Sequence, residues 1–297
     1  MCQRIDEWYV DCRIGILVER VFLEIISTAE GSFKMNVYVM VDAEGLSGVH
    51  LVSQVTPDGC HYQEFRHMMT EEINACVEGL KAGGATRVIV RDAHASGNNV
   101  IWSLLTDLAD GYVMGNSRDI RLPGFASCDA LVLLGYHAMA GTEGAVLEHT
   151  MSSRQWQNFW INGRKSGEIA MDAAVAGASG KPVILVSGDD KACAEAEDFL
   201  PGVVTAVVKQ GLSVEGAIHL PRTQAYDLIR RKAAEAVEKA VNGEFHPYVA
   251  GSPVTLRLEL VERGQIPNLP AHPDIHRIDG RTYEVTAETV EIAMSRL

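Results

Sequence analysis

Three short apolar runs in this chain each lead into an acidic residue or a histidine. Runs of β-branched and other large apolar residues, bounded by glycine and polar residues, are typical of buried strands. A stretch of helical periodicity separates the first two runs, which predicts that their strands are parallel. Ligands of such sheets bind just beyond the carboxyl ends of the strands. The runs are residues 37–41 before Asp42 and Glu44, residues 88–90 before Asp92 and His94, and residues 131–134 before His137.

The side chains that follow these runs are carboxylates and imidazoles, with no cysteine among them. This donor set favours a hard-to-borderline divalent metal ion. Asp42 and Glu44 are two residues apart, so in an extended segment both carboxylates point to the same side. A D-x-E pair or a single strand-end histidine is a weak signal alone, and Asp92 could serve only to orient His94. The predicted metal site therefore depends on three strand ends that present such groups at one edge of the sheet.

The order of elements predicts an α/β fold. We expect a mostly parallel sheet flanked by helices in three layers, with a smaller C-terminal α+β portion. The metal-binding catalytic domain should span residues 35–212 and the C-terminal portion residues 213–297, with a boundary near 212–222. A mixture of aromatic and polar residues at 154–161 indicates an edge strand. Helices are predicted at 62–82, 167–177, 192–199 and 222–241, a short helix within 95–110, and further strands at 112–115, 182–187, 203–208, 254–260 and 282–286.

The first 34 residues precede the earliest strand and have a different character. Residues 13–26 have the pattern of an amphipathic helix. A secretory signal needs a basic start and an uninterrupted apolar stretch, whereas acidic residues come first here and Glu19 and Arg20 interrupt the run. We therefore expect residues 1–34 to be an N-terminal extension and Met35 to be a candidate natural start. The alternative is a surface helix that packs on the rest of the chain.

Charge and cysteine usage exclude several classes of protein. The formal net charge of −13 argues against a nucleic-acid partner, because phosphate binding needs a basic surface, and against an anionic membrane surface. The six cysteines form no C-x-x-C pair, and a chain of 297 residues can bury a large core without disulfides. No apolar run reaches the roughly 18–20 residues that span a bilayer. These features predict a cytoplasmic protein.

Four further residues have both a functional and a structural interpretation. His149 lies in a polar loop, where a mobile proton donor or a transition-state stabiliser could sit. Glu168 begins the Ala-rich helix, where the helix dipole alone can explain a carboxylate. Asp189 and Asp190 follow a predicted strand and could be functional, but they suit the cap of the next helix equally well. The sequence contains no H-E-x-x-H, G-x-S-x-G, Walker A or G-x-G-x-x-G motif.

Taken in order, these motifs resemble the zinc-dependent D-aminopeptidases of the bacterial dipeptide operon. The segment from Val41 to Gly48, Val-Asp-Ala-Glu-Gly-Leu-Ser-Gly, is similar to the S-x-D-x-E-G-(I/L)-S-G opening of that family. The similarity extends from about residue 35 to the C-terminus and is weaker after about residue 215. The other matching segments are Met69 to Asn74, Asp92 to His94, Leu134 to Ala138, Glu148 to Met151, Ile161 to Gly163, Gly167 to Glu168, Gly188 to Asp190 and Val207 to Gln210.

The resemblance implies a site with two Zn²⁺ ions per protomer and a bridging hydroxide, although Co²⁺ or Mn²⁺ could replace zinc. Asp42 would bridge both ions. Glu44 and His94 would complete the protein ligands of one ion, and His137 and Glu168 those of the other. His149 would be the catalytic residue beside the substrate. For Glu168 and His149, the resemblance thus favours the functional interpretation over the structural one.

The expected activity is hydrolysis of short peptides or amides with an N-terminal D-amino acid of the D-Ala type. The alternative is another dinuclear-metal amidohydrolase that acts on a different small amide, because stereochemistry depends on pocket shape. A third reading, a non-catalytic protein that binds small peptides, would need no open metal positions. The resemblance also implies a ring-like homo-oligomer that encloses the sites.

Overall fold

A computed structural model of the chain describes residues 34–117, 120–264, 266 and 275–297. The helix expected at 13–26, and with it nearly all of the expected N-terminal extension, lies outside the described residues. Residues 35–297 form one compact unit.

The described part of this unit contains twelve strands and six α-helices. The strands are β1 (Met35–Val41), β2 (Ala85–Asp92), β3 (Gly111–Val113), β4 (Ala130–Tyr136), β5 (Trp156–Ile161), β6 (Arg164–Lys165), β7 (Val183–Asp189), β8 (Val204–Ser213), β9 (Gly216–His219), β10 (Val254–Leu260), β11 (Ile275–Arg277) and β12 (Thr282–Ala287). The helices are α1 (Val52–Val55), α2 (Tyr62–Ala82), α3 (Glu168–Gly177), α4 (Asp190–Phe199), α5 (Arg222–Val241) and α6 (Val290–Met294).

The larger sheet has seven strands in the order β3-β2-β1-β4-β7-β8-β9. All neighbours are parallel except β9, which pairs antiparallel with β8. Strand β1 lies between β2 and β4, with Val41 paired to Asp92 on one side and to Leu134 on the other. The chain continues from β1 to β2 and β3 on one side and later fills the other side from β4. The border between β1 and β4 is therefore a topological switch point, where α/β sheets place their ligand sites.

Both faces of the larger sheet are covered, which explains why its strands are apolar throughout. Val37, Val39 and Val41 pack in one core with the inner faces of α2 and α5. Tyr38 and Met40 point to the other face, where they join a second core with residues of α3, α4 and the smaller sheet. The expected α/β architecture of a mostly parallel sheet between two layers is confirmed.

The smaller sheet is antiparallel, with the order β11-β12-β10-β5-β6. It corrects the prediction of an edge strand at 154–161: β5 lies inside this sheet, between β10 and β6. Its mixture of aromatic and polar residues reflects one face on the core, where Phe159 is buried, and one face turned outward. The two sheets also do not divide at the boundary expected near residues 212–222. Strand β9 lies within that range and completes the larger sheet, whereas β5 and β6 come before it and join the smaller sheet.

Two local features differ from the sequence expectation. The short helix expected within 95–110 is a single 3₁₀ turn at Trp102–Leu104, and α1 lies in a segment without a predicted element. Within the described part of the chain, no helix is long and apolar enough to cross a membrane.

Candidate metal centre

The side chains predicted at the strand ends lie together at the switch point. Asp42 directly follows β1, and its backbone N–H donates to the Leu134 carbonyl of β4. His94 and His137 follow β2 and β4, the two neighbours of β1. Glu44 lies in the turn after β1, and Glu168 is the first residue of α3, a helix of the second core. The long β4–β5 connection brings His149 to the same place.

Asp42 lies between two pairs of side chains, each made of one histidine and one glutamate. Its Oδ1 lies 3.2 Å from His94 Nδ1, and its Oδ2 lies 3.3 Å from His137 Nε2. Glu44 Oε2 is 3.3 Å from the same nitrogen of His94. Glu168 Oε1 is 3.4 Å from the same nitrogen of His137. The five side chains thus form two groups of three that share the carboxylate of Asp42.

Backbone carbonyl groups fix the orientation of both histidines. His94 Nε2 lies 2.8 Å from the Val55 carbonyl oxygen, and His137 Nδ1 lies 3.0 Å from that of Ala138. In the neutral imidazoles these nitrogens carry the proton, so the nitrogens that face Asp42 are left with free lone pairs. A hydrogen bond from the outer ring nitrogen to a carbonyl is the usual support of a metal-binding histidine.

The residues present fit zinc. Two ligand atoms that share one tetrahedral zinc ion, each at about 2.0–2.2 Å from it, lie about 3.3–3.5 Å apart. The observed nitrogen–oxygen distances of 3.2–3.4 Å agree with that spacing. Moreover, Glu44 Oε2 and His137 Nε2 are buried and have no hydrogen-bond partner. A buried polar atom without a partner is costly, and a metal ion would satisfy both of these.

The carboxylates and imidazoles of the centre lie close together and shift one another's pKa values. Burial alone would raise the pKa of Asp42, but the imidazoles of His137 and His94 that face it hold it well below its ordinary value. Burial is likewise outweighed at Glu168, where His137 lowers the pKa to about 2. For His94 and His137, burial would lower the pKa, yet the neighbouring carboxylates raise it well above the ordinary value. The carboxylates of Asp42 and Glu168 therefore stay ionised at neutral pH, as binding of a cation requires.

His149 lies against this centre in a constrained loop. Its ring stacks on His137 at 4.0 Å between centroids, with 13° between the ring planes. Its Nδ1 lies 2.9 Å from the Leu147 carbonyl oxygen, and its Nε2 lies 3.9 Å from Glu168 Oε1. Leu147 and Met151, on either side of it, have positive φ angles of 48° and 57°. Non-glycine residues rarely adopt this region, and such backbone conformations cluster at functional sites.

A charged network behind Glu168 was not anticipated from the sequence. The guanidinium of Arg121 forms two hydrogen bonds to Asp172, at 2.6 and 2.8 Å, and lies 3.3 Å from Glu168 Oε2. The Tyr136 hydroxyl donates to the same Asp172 carboxylate at 2.7 Å. Burial would lower the pKa of Arg121, but Asp172 raises it well above its ordinary value. Only the position of Asp172, four residues after Glu168 on α3, could have suggested a link.

The two other positions considered from the sequence have structural contacts. The Asp92 carboxylate accepts hydrogen bonds from the backbone and side chain of Asn99, whose side chain also donates to the His94 carbonyl oxygen. Asp92 therefore supports His94 through Asn99. Asp189 caps α4 by accepting from the backbone N–H groups of residues 191 and 192, as the structural interpretation predicted. It also accepts from the N–H of Val146, three residues before His149.

A cavity of about 710 Å³ opens onto the centre. The carboxylates of Asp42, Glu44 and Glu168 and the ring of His149 lie in its wall. Arg91, Arg121 and Arg154 line it as well, together with Glu148. A space of this size falls within the usual range for small-ligand pockets.

The chain as a whole is similar to known D-aminopeptidases. A family model described as D-aminopeptidase matches residues 35–297. The chain is 35% identical over 234 residues to the D-aminopeptidase of Bacillus subtilis (strain 168), a match that covers 78% of this chain and 83% of that protein. It is also similar to a solved structure, described as the Zn-dependent D-aminopeptidase DppA from Bacillus subtilis, a self-compartmentalizing protease. There the TM-score is 0.82 and the identity 31%, with 88% of this chain and 94% of that chain covered.

Proposed function

This chain belongs to the D-aminopeptidase family of metallopeptidases, and we propose that it removes the N-terminal D-amino acid from short peptides with the help of two zinc ions. Asp42, Glu44 and His94 would hold one ion, and Asp42, His137 and Glu168 the other. The observation that supports this most is the placement of Asp42, whose two carboxylate oxygens lie at 3.2 and 3.3 Å from two different histidines.

Each of these ions would have three protein ligands, one of them shared, which leaves an open position for water and substrate. When bound, a zinc pair supplies an activated water and polarises the carbonyl of the bond to be cleaved. The chain itself contributes the shape and charge of the surroundings. Arg121 would hold the second oxygen of Glu168 in place, because its guanidinium is fixed by Asp172 and lies 3.3 Å from that oxygen.

His149 is the residue we propose for proton transfer. Its Nδ1 is engaged with the Leu147 carbonyl oxygen, so only Nε2 is available to the cavity. From there it could stabilise the oxyanion or protonate the leaving amine. The donor atoms of His149, His137 and Glu168 also lie within 4.8 Å of one another, a spacing that a metal ligand could have. We assign His149 to catalysis because the shared position of Asp42 already provides three ligands for each ion.

The proposed function is tested by comparing matched D- and L-peptides. We expect the zinc-loaded protein to hydrolyse D-alanyl dipeptides and tripeptides much faster than their L-alanyl counterparts. Removal of zinc with a chelator should abolish the activity, and added zinc should restore it. Activity on amides of another class with none on D-peptides would favour a different amidohydrolase. Tight binding of peptides without any hydrolysis by the zinc-loaded protein would contradict the enzyme.

We further propose that the protein forms a homo-oligomer, ring-like in arrangement, that encloses the sites. A solved relative is described as self-compartmentalizing. In this chain, large apolar side chains are exposed on the β8–β9 hairpin, where Leu212 is 57% and Ile218 is 59% accessible, and at Trp102, which is 68% accessible. Apolar groups exposed on this scale favour contacts between protein surfaces. Light scattering should give a mass that is a multiple of 32.3 kDa, and a monomer would contradict the proposal.

A further inference from the structure

The loop at residues 44–49, which carries Glu44, is held by a buried lysine from a distant part of the chain. Lys209 lies on β8, and its side chain is 1% exposed. Its Nζ donates to the carbonyl oxygens of Glu44, Leu46 and Val49, at 2.5, 2.9 and 2.6 Å. An ammonium group has three N–H donors, and all three are used on this one loop.

Two other elements hold the N–H groups of the same loop. Glu72 on α2 is fully buried and accepts from both the backbone N–H and the hydroxyl of Ser47. His219 on β9 accepts at its Nδ1 from the backbone N–H of Gly48. Lys209, Glu72 and His219, from three different elements, thus bind three carbonyl groups and two N–H groups of the loop.

We propose that Lys209, assisted by Glu72, is a positioning residue that holds the Glu44 carboxylate at the metal centre. This inference rests on the proposed two-zinc site and adds the means by which one of its ligands is kept in place. Lys209 acts through the backbone of Glu44, and it is not one of the residues that line the cavity. Its effect should therefore be confined to the ion that Glu44 and His94 hold.

The volume that Lys209 occupies does not explain why a charged residue is buried at this position. Burying an ammonium group is costly, and a methionine of similar length would occupy the volume without that cost. Within the described residues, the hydrogen bonds of this ammonium all go to carbonyl oxygens of residues 44–49. Its charge acts through space on Asp189, Glu72 and Glu44. The Lys209 ammonium group thus holds the loop by hydrogen bonds. It is also attracted by the carboxylates near the centre.

The test compares zinc affinity in the full-length protein and in Lys209→Met. Stepwise chelator competition with elemental analysis would give the affinity for each ion, and the cobalt-loaded protein would give an absorption spectrum for each site. We expect the variant to bind one ion with about 10–100-fold lower affinity, the usual effect of losing an outer partner of a ligand. The other ion should be retained with unchanged affinity.

Two reference variants make the result specific. Lys181→Met removes an ammonium that donates to two backbone carbonyls, those of Phe125 and Ala126, in a loop without metal ligands. Lys181 is more exposed than Lys209, so it controls for the loss of a lysine–carbonyl contact. It should leave both zinc affinities unchanged. His94→Ala removes a proposed ligand of the ion beside Glu44, so the cobalt spectrum left in Lys209→Met should match the one left in His94→Ala.

If Lys209→Met does not fold, Ser47→Ala tests the same loop with a smaller change. It deletes only the hydroxyl that donates to Glu72, and we expect a smaller loss of affinity for the same ion. Unchanged affinity for both ions in the folded variants would overturn the proposal, and so would an equal loss of both. Wild-type protein with a single ion would refute the two-zinc site independently. In that case the positioning role stands only if Lys209→Met weakens that ion.

Discussion

Among single residues, Asp42 is the one on which both proposed metal positions depend. Its two oxygens face different histidines, so Asp42→Asn replaces one of two shared oxygens by an amide and removes the bridging charge. We expect the zinc content of this variant to fall from two ions towards none, measured by elemental analysis after gel filtration. Full zinc content in Asp42→Asn would show that the residue does not bridge.

His149→Ala is the matched variant for that experiment, because it changes the same cavity without removing an assigned ligand. We expect it to keep both zinc ions while the rate of D-peptide hydrolysis falls by about 10²–10⁴-fold, the range for loss of a general acid or base. Elemental analysis and turnover on the same preparation check both parts. Loss of one ion would instead make His149 a ligand, and unchanged turnover would remove it from the mechanism.

Glu195 should make the stability of the metal-free protein depend on pH. This residue of α4 is 8% exposed, and one of its carboxylate oxygens lacks a hydrogen-bond partner. Burial raises its pKa from 4.5 to about 7, although a hydrogen bond from the Met139 N–H opposes the shift. The folded protein therefore binds more protons than the unfolded chain between these values, and its stability falls as pH rises through them.

The contribution of Glu195 is isolated by comparison with Glu195→Gln, which cannot ionise. From pH 4.5 to pH 7, the free energy of unfolding of wild type should fall relative to this variant by up to about 3 kcal/mol. Urea unfolding of both metal-free proteins at a series of pH values measures the difference. A difference that stays constant over this range would contradict the raised pKa.

The sequence indicated the six residues that come together at the centre, because each matches a motif of the family and all except His149 follow a strand or begin a helix. It did not indicate which residues support them. Glu72 and Lys209 lie in two of the segments that match the family, but these two residues and Arg121 are all far along the chain from the side chains that they contact, and nothing in the sequence pairs them. Such pairings depend on how β8, α2 and the segment around Arg121 come together, which only the three-dimensional structure specifies.

At the scale of elements, the turn after β1 determines where Glu44 lies. The Gly45 N–H donates to the Gly135 carbonyl at 2.8 Å, and a Cβ at Gly45 would overlap the backbone of Gly135 and Tyr136. We expect Gly45→Ala to lower the free energy of unfolding by about 1–3 kcal/mol, as overpacked sites do. Zinc binding should weaken too, since the turn would move away from β4.

Gly111→Ala is the control for this substitution, because a Cβ at the start of β3 would meet no atom within 4 Å. It should change the stability by no more than about 0.5 kcal/mol. Urea unfolding of the two variants gives the comparison directly. Equal unfolding midpoints would show that the close approach of Gly45 to β4 does not constrain the turn.

Helices and strands with a regular spacing of apolar residues had bounds that were predictable to within a few residues. Helix α2 spans Tyr62–Ala82, where apolar residues at helical spacing predicted residues 62–82, and α5 and β10 also match their predicted bounds. The partner of β5 was not predictable, since β10 lies about a hundred residues later and pairs with it through the smaller sheet. Sheet membership depends on such long-range pairing, whereas the strand itself is a local property.

For the whole molecule, the arrangement of the two sheets explains why the site lies where it does. Three adjacent strands of the larger sheet bring Asp42, His94 and His137 to one edge. Glu168 comes from α3, which packs in the core on one face of that sheet, and Lys209 comes from β8 within it. The residues of the centre and its supports thus come from distant parts of one folded unit, residues 35–297, and the family match covers the same residues.

The central claim is that five side chains of one chain hold two zinc ions through a shared carboxylate. Its most direct test is the number of zinc ions per chain, measured by elemental analysis of protein purified without chelator and then saturated with zinc. We predict two ions per chain. A single ion would mean that the pair Glu44 and His94, or the pair His137 and Glu168, does not bind metal, and a protein without zinc would contradict the metallopeptidase altogether.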